Sequence, residues 1–164
     1  MIWLALYLGT IVAANWAIQT FGLVPVGFGL MAPAGVYFVG LAFTFRDLTH
    51  EALGRKWVIA AILVGAGLSW FISPAFALAS GLAFLFSEAA DLAVYEPLRH
   101  RNWLGAVALS NTVGLVVDSA LFLALAFGSL QFLPGQIVGK AWMTAIAVVI
   151  LWGVRAVPQR RREA

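Results

Sequence analysis

Five carboxylates lie inside stretches of sequence that are otherwise built of Leu, Ala, Val and Phe: Asp47, Glu51, Glu88, Asp91 and Asp118. An ionised carboxylate only accepts hydrogen bonds and can accept two side by side. A set of them turned inward therefore suits a cation, a proton or a ligand with several N–H donors, and repels an anion. Asp47 and Glu51 are four residues apart and Glu88 and Asp91 three apart, so each pair projects from one face of a helix. Asn111 and Asp118 fall in line after two turns, and Asn15 and Gln19 repeat the four-residue spacing. Arg46 and Lys140 are the cations nearest to these groups within the apolar stretches.

Each residue also has a plainer use. Glu51 is close enough to Arg55 and Lys56 for an interfacial ion pair, and Arg46 is expected to neutralise an acid on a neighbouring helix. Asn15 and Gln19 can bind helix to helix, while His50, His100 and Glu96 belong to solvated ends. Asp118 resists such a reading, because it stands about 22 Å by helical rise from the start of its apolar stretch at Trp103, too far to reach water there. Glu51 and Arg46 are thus assigned a structural or gating role.

Catalytic signatures are missing. The sequence has no Gly-rich phosphate loop ending in Lys-Ser/Thr, no His-Glu-x-x-His helix and no Gly-x-Ser-x-Gly elbow, and it contains no cysteine. It is read as a non-enzyme with neither metal nor cofactor. Gly65, Gly67 and Gly81 serve close helix packing.

What must position the carboxylates follows from composition. The chain has 164 residues, of which 63% are apolar and 10% charged, with a mean hydropathy of +0.96. A water-soluble domain needs about 25% charged residues to clothe itself, so the solvent here is lipid. A span takes about 20 helical residues. Apolar windows run over Ile2–Phe21, Ala32–Leu53, Trp57–Ser73, Pro74–Tyr95, Trp103–Phe127 and Gln136–Val154. The expectation is an all-α integral membrane protein, a bundle of six transmembrane helices over residues 1–157, with a basic tail over 158–164. Gly22–Met31, with prolines close by at Pro25 and Pro33, is expected to be a loop or a re-entrant turn.

Orientation comes from the cations. The net charge of +3 is not gathered on a polar face, which argues against nucleic acid. Arg55 and Lys56 follow the second window, Arg99 and Arg101 the fourth, and Arg155 with Arg160, Arg161 and Arg162 the sixth. The opposite connections carry no charge. Both termini are therefore expected to be cytoplasmic, in a multi-pass protein of the inner (cell) membrane. Trp57, Trp103, Trp142 and Trp152 are placed to anchor span ends. The first twenty residues lack a basic n-region and are expected to be a span, not a cleaved signal. The shared Phe-x-Phe-x-acid of Phe43–Asp47 and Phe84–Glu88 is a faint sign of an internal repeat.

The stretch Phe45-Arg46-Asp47-Leu-Thr-His-Glu51-Ala-Leu-Gly54-Arg55-Lys56 resembles the Asp-x-x-x-Glu-x-x-Gly-basic signature that closes the second span in the VUT family, the queuosine precursor transporters. Ser87-Glu88-x-x-Asp91-x-x-x-Tyr95, Ser110-Asn111 and Val117-Asp118-Ser119-x-x-Phe122 look like further signatures of that family. Asn15 and Gly139-Lys140 also stand in matching spans. The resemblance implies a six-helix importer of 7-cyano- and/or 7-aminomethyl-7-deazaguanine, similar in fold to substrate-capturing subunits of energy-coupling-factor transporters. It further implies a substrate site of Asp47, Glu88, Asp91, Asn111 and Asp118, with Asn15 and Lys140. A carboxylate would accept the base's N1–H and exocyclic amine. Aromatic faces for the ring can come from Phe45 and Trp16 first, and from Tyr37, Phe43 and Phe122.

By count of charges, such a site suits the cationic 7-aminomethyl compound. The other readings are a capture subunit for another vitamin-like solute, docked on a separate ATP-driven module, or a proton- or cation-conducting protein. The implied partners are the bilayer, a small purine-like solute and, through small-residue faces, a second copy of the chain.

Overall fold

The computed structural model describes residues 1–98, 100–101 and 103–160. The orienting cations Arg99, Arg161 and Arg162, and the tail beyond Arg160, lie outside the described residues. Six helices follow one another: α1 (Ile2–Phe21), α2 (Val36–Leu53), α3 (Arg55–Trp70), α4 (Pro74–Leu98), α5 (Trp103–Phe127) and α6 (Leu133–Arg160). α1 and α5 have the limits that hydropathy sets, and α4 begins at Pro74, whose fixed φ and missing N–H suit a first helical turn. α3 begins at Arg55, because Gly54 at φ 88° ends α2 and turns the chain at once into the next helix. Among the described residues, Ile2–Phe21, Pro74–Leu98 and Leu109–Phe127 are long and apolar enough to cross a membrane. By contrast, α2 carries Arg46, Asp47 and Glu51, and α3 has only 16 residues.

Between α1 and α2 the structure differs from the expected loop. Leu23–Gly27 (β1) and Leu30–Pro33 (β2) pair antiparallel, so the second apolar window starts as a strand and becomes helical only at Val36. The turn Gly27-Phe28-Gly29 has φ of 100°, 54° and 72°, a run of left-handed conformations that the two glycines adopt without strain. Both strands of a two-stranded ribbon are edges, which is why Pro25 and Pro33 are tolerated there. The ribbon lies against the start of α6: Val26, Ala32 and Val36 form one apolar cluster, and the ring of Phe28 stacks on Trp142 at 6.3 Å. Tyr37 donates a 2.6 Å hydrogen bond to the Pro25 carbonyl, tying β1 to the first turn of α2.

The packing is that of a membrane protein. Small residues such as Ala61, Ala77, Ala83, Ser69 and Ser87 are buried, whereas Leu63, Leu78, Phe86, Ile146 and Val149 face outward. In water each outward chain of that size forgoes about 1.5–3 kcal/mol of burial, and in hydrocarbon it forgoes nothing. Close approaches need glycine at two points that shape the interior. A Cβ at Gly40 of α2 would sit 2.9 Å from the Lys140 carbonyl of α6, and one at Gly139 would sit 2.7 Å from a Val36 methyl. These contacts bring α2 and α6 side by side and fix which face of α6 looks inward.

Candidate functional site

The inward faces of all six helices, α3 through Ile62 and Ala66, enclose a cavity of about 60 Å³ whose wall is mostly apolar. Its polar side chains are Thr10, Asn15, Ser80, Asp118, Gln136 and Lys140, and its aromatic walls are Phe84 and Phe122. It lies toward the end of the bundle that carries the ribbon, as shown by Asn15 six residues before the end of α1 and Lys140 seven after the start of α6.

Lys140 and Asp118 form an ion pair in this wall. The Lys140 ammonium donates to Asp118 Oδ2 at 2.6 Å and to Ser119 Oγ at 2.7 Å, with side chains 1% and 6% exposed for Lys140 and Asp118. Two of the three ammonium protons are thus placed, and the charge also lies 5.9 Å from the centre of the Phe43 ring. Asp118, the only acid lining the cavity among the described residues, therefore has its charge balanced. Across the cavity Asn15 donates to the Ile11 carbonyl and to Ser69 Oγ, and accepts from Ser80 Oγ at 3.4 Å. Gln136 is buried, and its Oε1 has no partner among the described residues.

A second polar group lies outside the cavity. Arg46 of α2 donates to Asp47 Oδ1 at 2.9 and 2.7 Å and reaches across to Glu88 Oε1 of α4, the interhelical neutralisation expected of it. The Arg46 guanidinium sits 5.5 Å from the centre of the Phe43 ring, the same ring that faces Lys140. Phe43 stacks on Phe84 at 5.9 Å, and Phe84 in turn meets Tyr7 at 6.2 Å. A layer of three aromatic rings therefore separates the cavity from the Arg46 cluster.

Of the residues expected at the site, the structure gathers Asn15, Asp118 and Lys140 round the cavity and Asp47, Glu88 and Arg46 in the second cluster. Asp91 turns toward α5, where a Cβ on Gly114 would come 3.7 Å from its Oδ1. Asn111 is exposed. Phe45 stacks on Trp3 and Trp16 meets Phe21 edge-on at the outside of the bundle, so neither aromatic lines the cavity, whereas Phe122 does. Glu51, Arg55 and Lys56 are exposed, and no ion pair joins them among the described residues; Gly54 at φ 88° stands between Glu51 and the two cations. Gln19 is exposed, as are His50 and His100.

Gln136, Ser80, Thr10 and Phe84 were not assigned to the site by sequence reasoning, Phe84 having figured only in the faint repeat. A polar residue near a helix start reads as a cap, and a serine or phenylalanine in an apolar helix is unremarked. The one signal available was that Gln136 precedes Lys140 by four residues and so shares its face.

The sequence profile described as "Putative vitamin uptake transporter" matches residues 71–157, just over half of the chain. That segment carries α4, α5 and most of α6, and with them Glu88, Asp118, Gln136 and Lys140. No curated protein and no solved structure matches the chain.

Proposed function

The chain belongs to the vitamin uptake transporter family, and on that premise we propose that it imports an uncharged 7-deazaguanine, a precursor of the tRNA nucleoside queuosine. The observation that carries the reading is the chemistry of the cavity. A charge-balanced Asp118 stands beside the amides and hydroxyls of Gln136, Asn15 and Ser80, between the aromatic faces of Phe84 and Phe122. A carboxylate already paired with an ammonium still has lone pairs to accept the N1–H and 2-amino protons of such a base. It has no net charge left to hold a second cation. The balance favours the 7-cyano compound over the cationic 7-aminomethyl one, the reverse of what the count of acids suggests.

In this reading all six helices cross the cell membrane with both termini in the cytoplasm, as the cations at Arg55, Lys56 and Arg101 support. The helix α3, at 16 residues, spans about 24 Å by helical rise. It crosses with its Arg55, Lys56 and Trp57 anchored at the basic interface, where snorkelling makes up the mismatch. The ligand enters the cavity from the ribbon side and leaves past the Tyr7–Phe84–Phe43 layer toward Arg46.

The test is a binding titration of the purified protein with 7-cyano- and 7-aminomethyl-7-deazaguanine, guanine, adenine and riboflavin. Saturable binding of the 7-cyano base is expected, at least tenfold tighter than the 7-aminomethyl base, with no binding of adenine or riboflavin. Preference for riboflavin would overturn the substrate class and move the chain to vitamin capture beside a separate ATP-driven module.

A further inference from the structure

Gln136 is the cavity residue with the most unspent hydrogen-bonding capacity. It is 2% exposed, it lines the cavity, and its Oε1 meets no donor among the described residues. The other polar groups of the wall are largely committed. Asn15 uses both ends of its amide on Ile11, Ser69 and Ser80, and Lys140 places two protons on Asp118 and Ser119. The position of Gln136 is also held from outside. Gly135, next to it, packs its α-carbon under the Met31 carbonyl of the ribbon, and Gly139, one turn on, packs under Val36. Between these two contacts α6 cannot rotate to carry the amide out of the cavity. A buried carboxamide with an unmet oxygen is costly, and a leucine would fit such a wall without that cost.

A carboxamide presents one acceptor and one donor side by side, so it pairs doubly only with a ligand edge that shows an adjacent acceptor and donor. Granting the reading above, that the cavity takes a 2-amino-6-oxo base, Asp118 accepts the N1–H and 2-amino protons. The neighbouring O6 then faces the uncommitted proton of Lys140. The edge that remains is N3, an acceptor, beside N9–H, a donor, and it matches Gln136 atom for atom. In a nucleoside N9 carries the sugar, so the donor is gone and bulk stands in its place.

We propose that Gln136 is a specificity-determining residue that receives the N3/N9–H edge of the base, so that the protein selects free bases and rejects the corresponding nucleosides.

The probe is 7-deazaguanine against 9-methyl-7-deazaguanine, which loses the N9–H donor with little added size, and against 7-deazaguanosine. For wild-type protein the 9-methyl compound is expected to bind about 5- to 150-fold more weakly, the range for stranding one buried polar group. In Gln136→Leu the free base weakens by a similar factor, and the difference between the free and 9-methyl bases disappears. The thermal midpoint of the ligand-free variant stays level or rises, which separates a ligand-binding role from a structural one. Equal binding of the two bases by wild-type protein overturns the proposal without any variant. So does a Gln136→Leu protein that still discriminates between them. Failure of wild-type protein to bind any base overturns the substrate reading, and this assignment falls with it.

Discussion

Breaking the Asp118–Lys140 pair is expected to be far more damaging one residue at a time than both together. The donor–acceptor distance is 2.6 Å and the side chains are 6% and 1% exposed, so solvent does little to screen either charge. An exposed pair contributes about 0–1 kcal/mol. A buried one behaves differently, since removal of one partner leaves an uncompensated charge and costs about 3–5 kcal/mol, whereas replacement of both by apolar groups of similar size is neutral or stabilising. Lys140→Met leaves Asp118 with no cation, because Arg46 is occupied by Asp47 and Glu88. Asp118→Leu leaves the ammonium with the Ser119 hydroxyl and the face of Phe43, and no counter-charge among the described residues. Each single variant should therefore lose about 3–5 kcal/mol in a denaturant titration of detergent-solubilised protein, and Asp118→Leu/Lys140→Met should recover most of it. The cycle should give a coupling of about 3 kcal/mol or more, well above the roughly 0.5 kcal/mol seen between independent sites. The recovered double variant should nonetheless bind no base, since it has lost the carboxylate. Additive single variants would refute the claim that the pair is a desolvated unit, and a double variant that binds base as wild type does would refute the place given to Asp118 in recognition.

Two further outcomes follow from the same geometry. Glu88→Gln removes the interhelical charge that faces Arg46, and Glu88 is not part of the cavity lining, so base affinity is expected within about twofold of wild type while uptake into vesicles falls; a tenfold loss of affinity would place Glu88 at the ligand. Gly135→Ala would drive a Cβ into the Met31 carbonyl oxygen, so the ribbon must lift from α6 at a cost of about 1–3 kcal/mol. A thermal midpoint unchanged from wild type would refute that contact.

The helices were legible because lipid lets only helices and closed barrels satisfy their backbones, and apolar windows of about 20 residues without strand alternation fit only the helix. Ile2–Phe21 and Trp103–Phe127 are the windows and also α1 and α5. The ribbon was not legible, since two prolines in ten residues speak against a strand in the middle of a sheet and say nothing against a lone hairpin. Its existence depends on a surface to lie on, the start of α6, which is more than a hundred residues away in the chain. Where a helix ends was also readable at Gly54, but that the next helix starts at once at Arg55, with Glu51 on one side of the break and Arg55 and Lys56 on the other, was not.

The site was half legible for a related reason. A charge in an apolar helix announces that it needs a partner, and Asp118, Lys140, Arg46 and Glu88 all made that announcement. Which partner each one meets is decided by helix rotation, set here by Gly40 and Gly139 where α2 approaches α6. Counting five acids against two cations therefore gave a carboxylate-rich centre, whereas packing distributes those acids: one to Lys140, two to Arg46, one toward α5 and one to the exposed end of α2. Once the charges have paired, the cavity wall offers a ligand the remaining lone pairs of Asp118 and uncharged groups that no hydropathy window marks, among them the buried amide of Gln136. Charged residues in this bundle thus mark where a polar interior exists, and on the reading proposed above Asp118 and the neutral groups beside it, Gln136 first, share the discrimination between one solute and another.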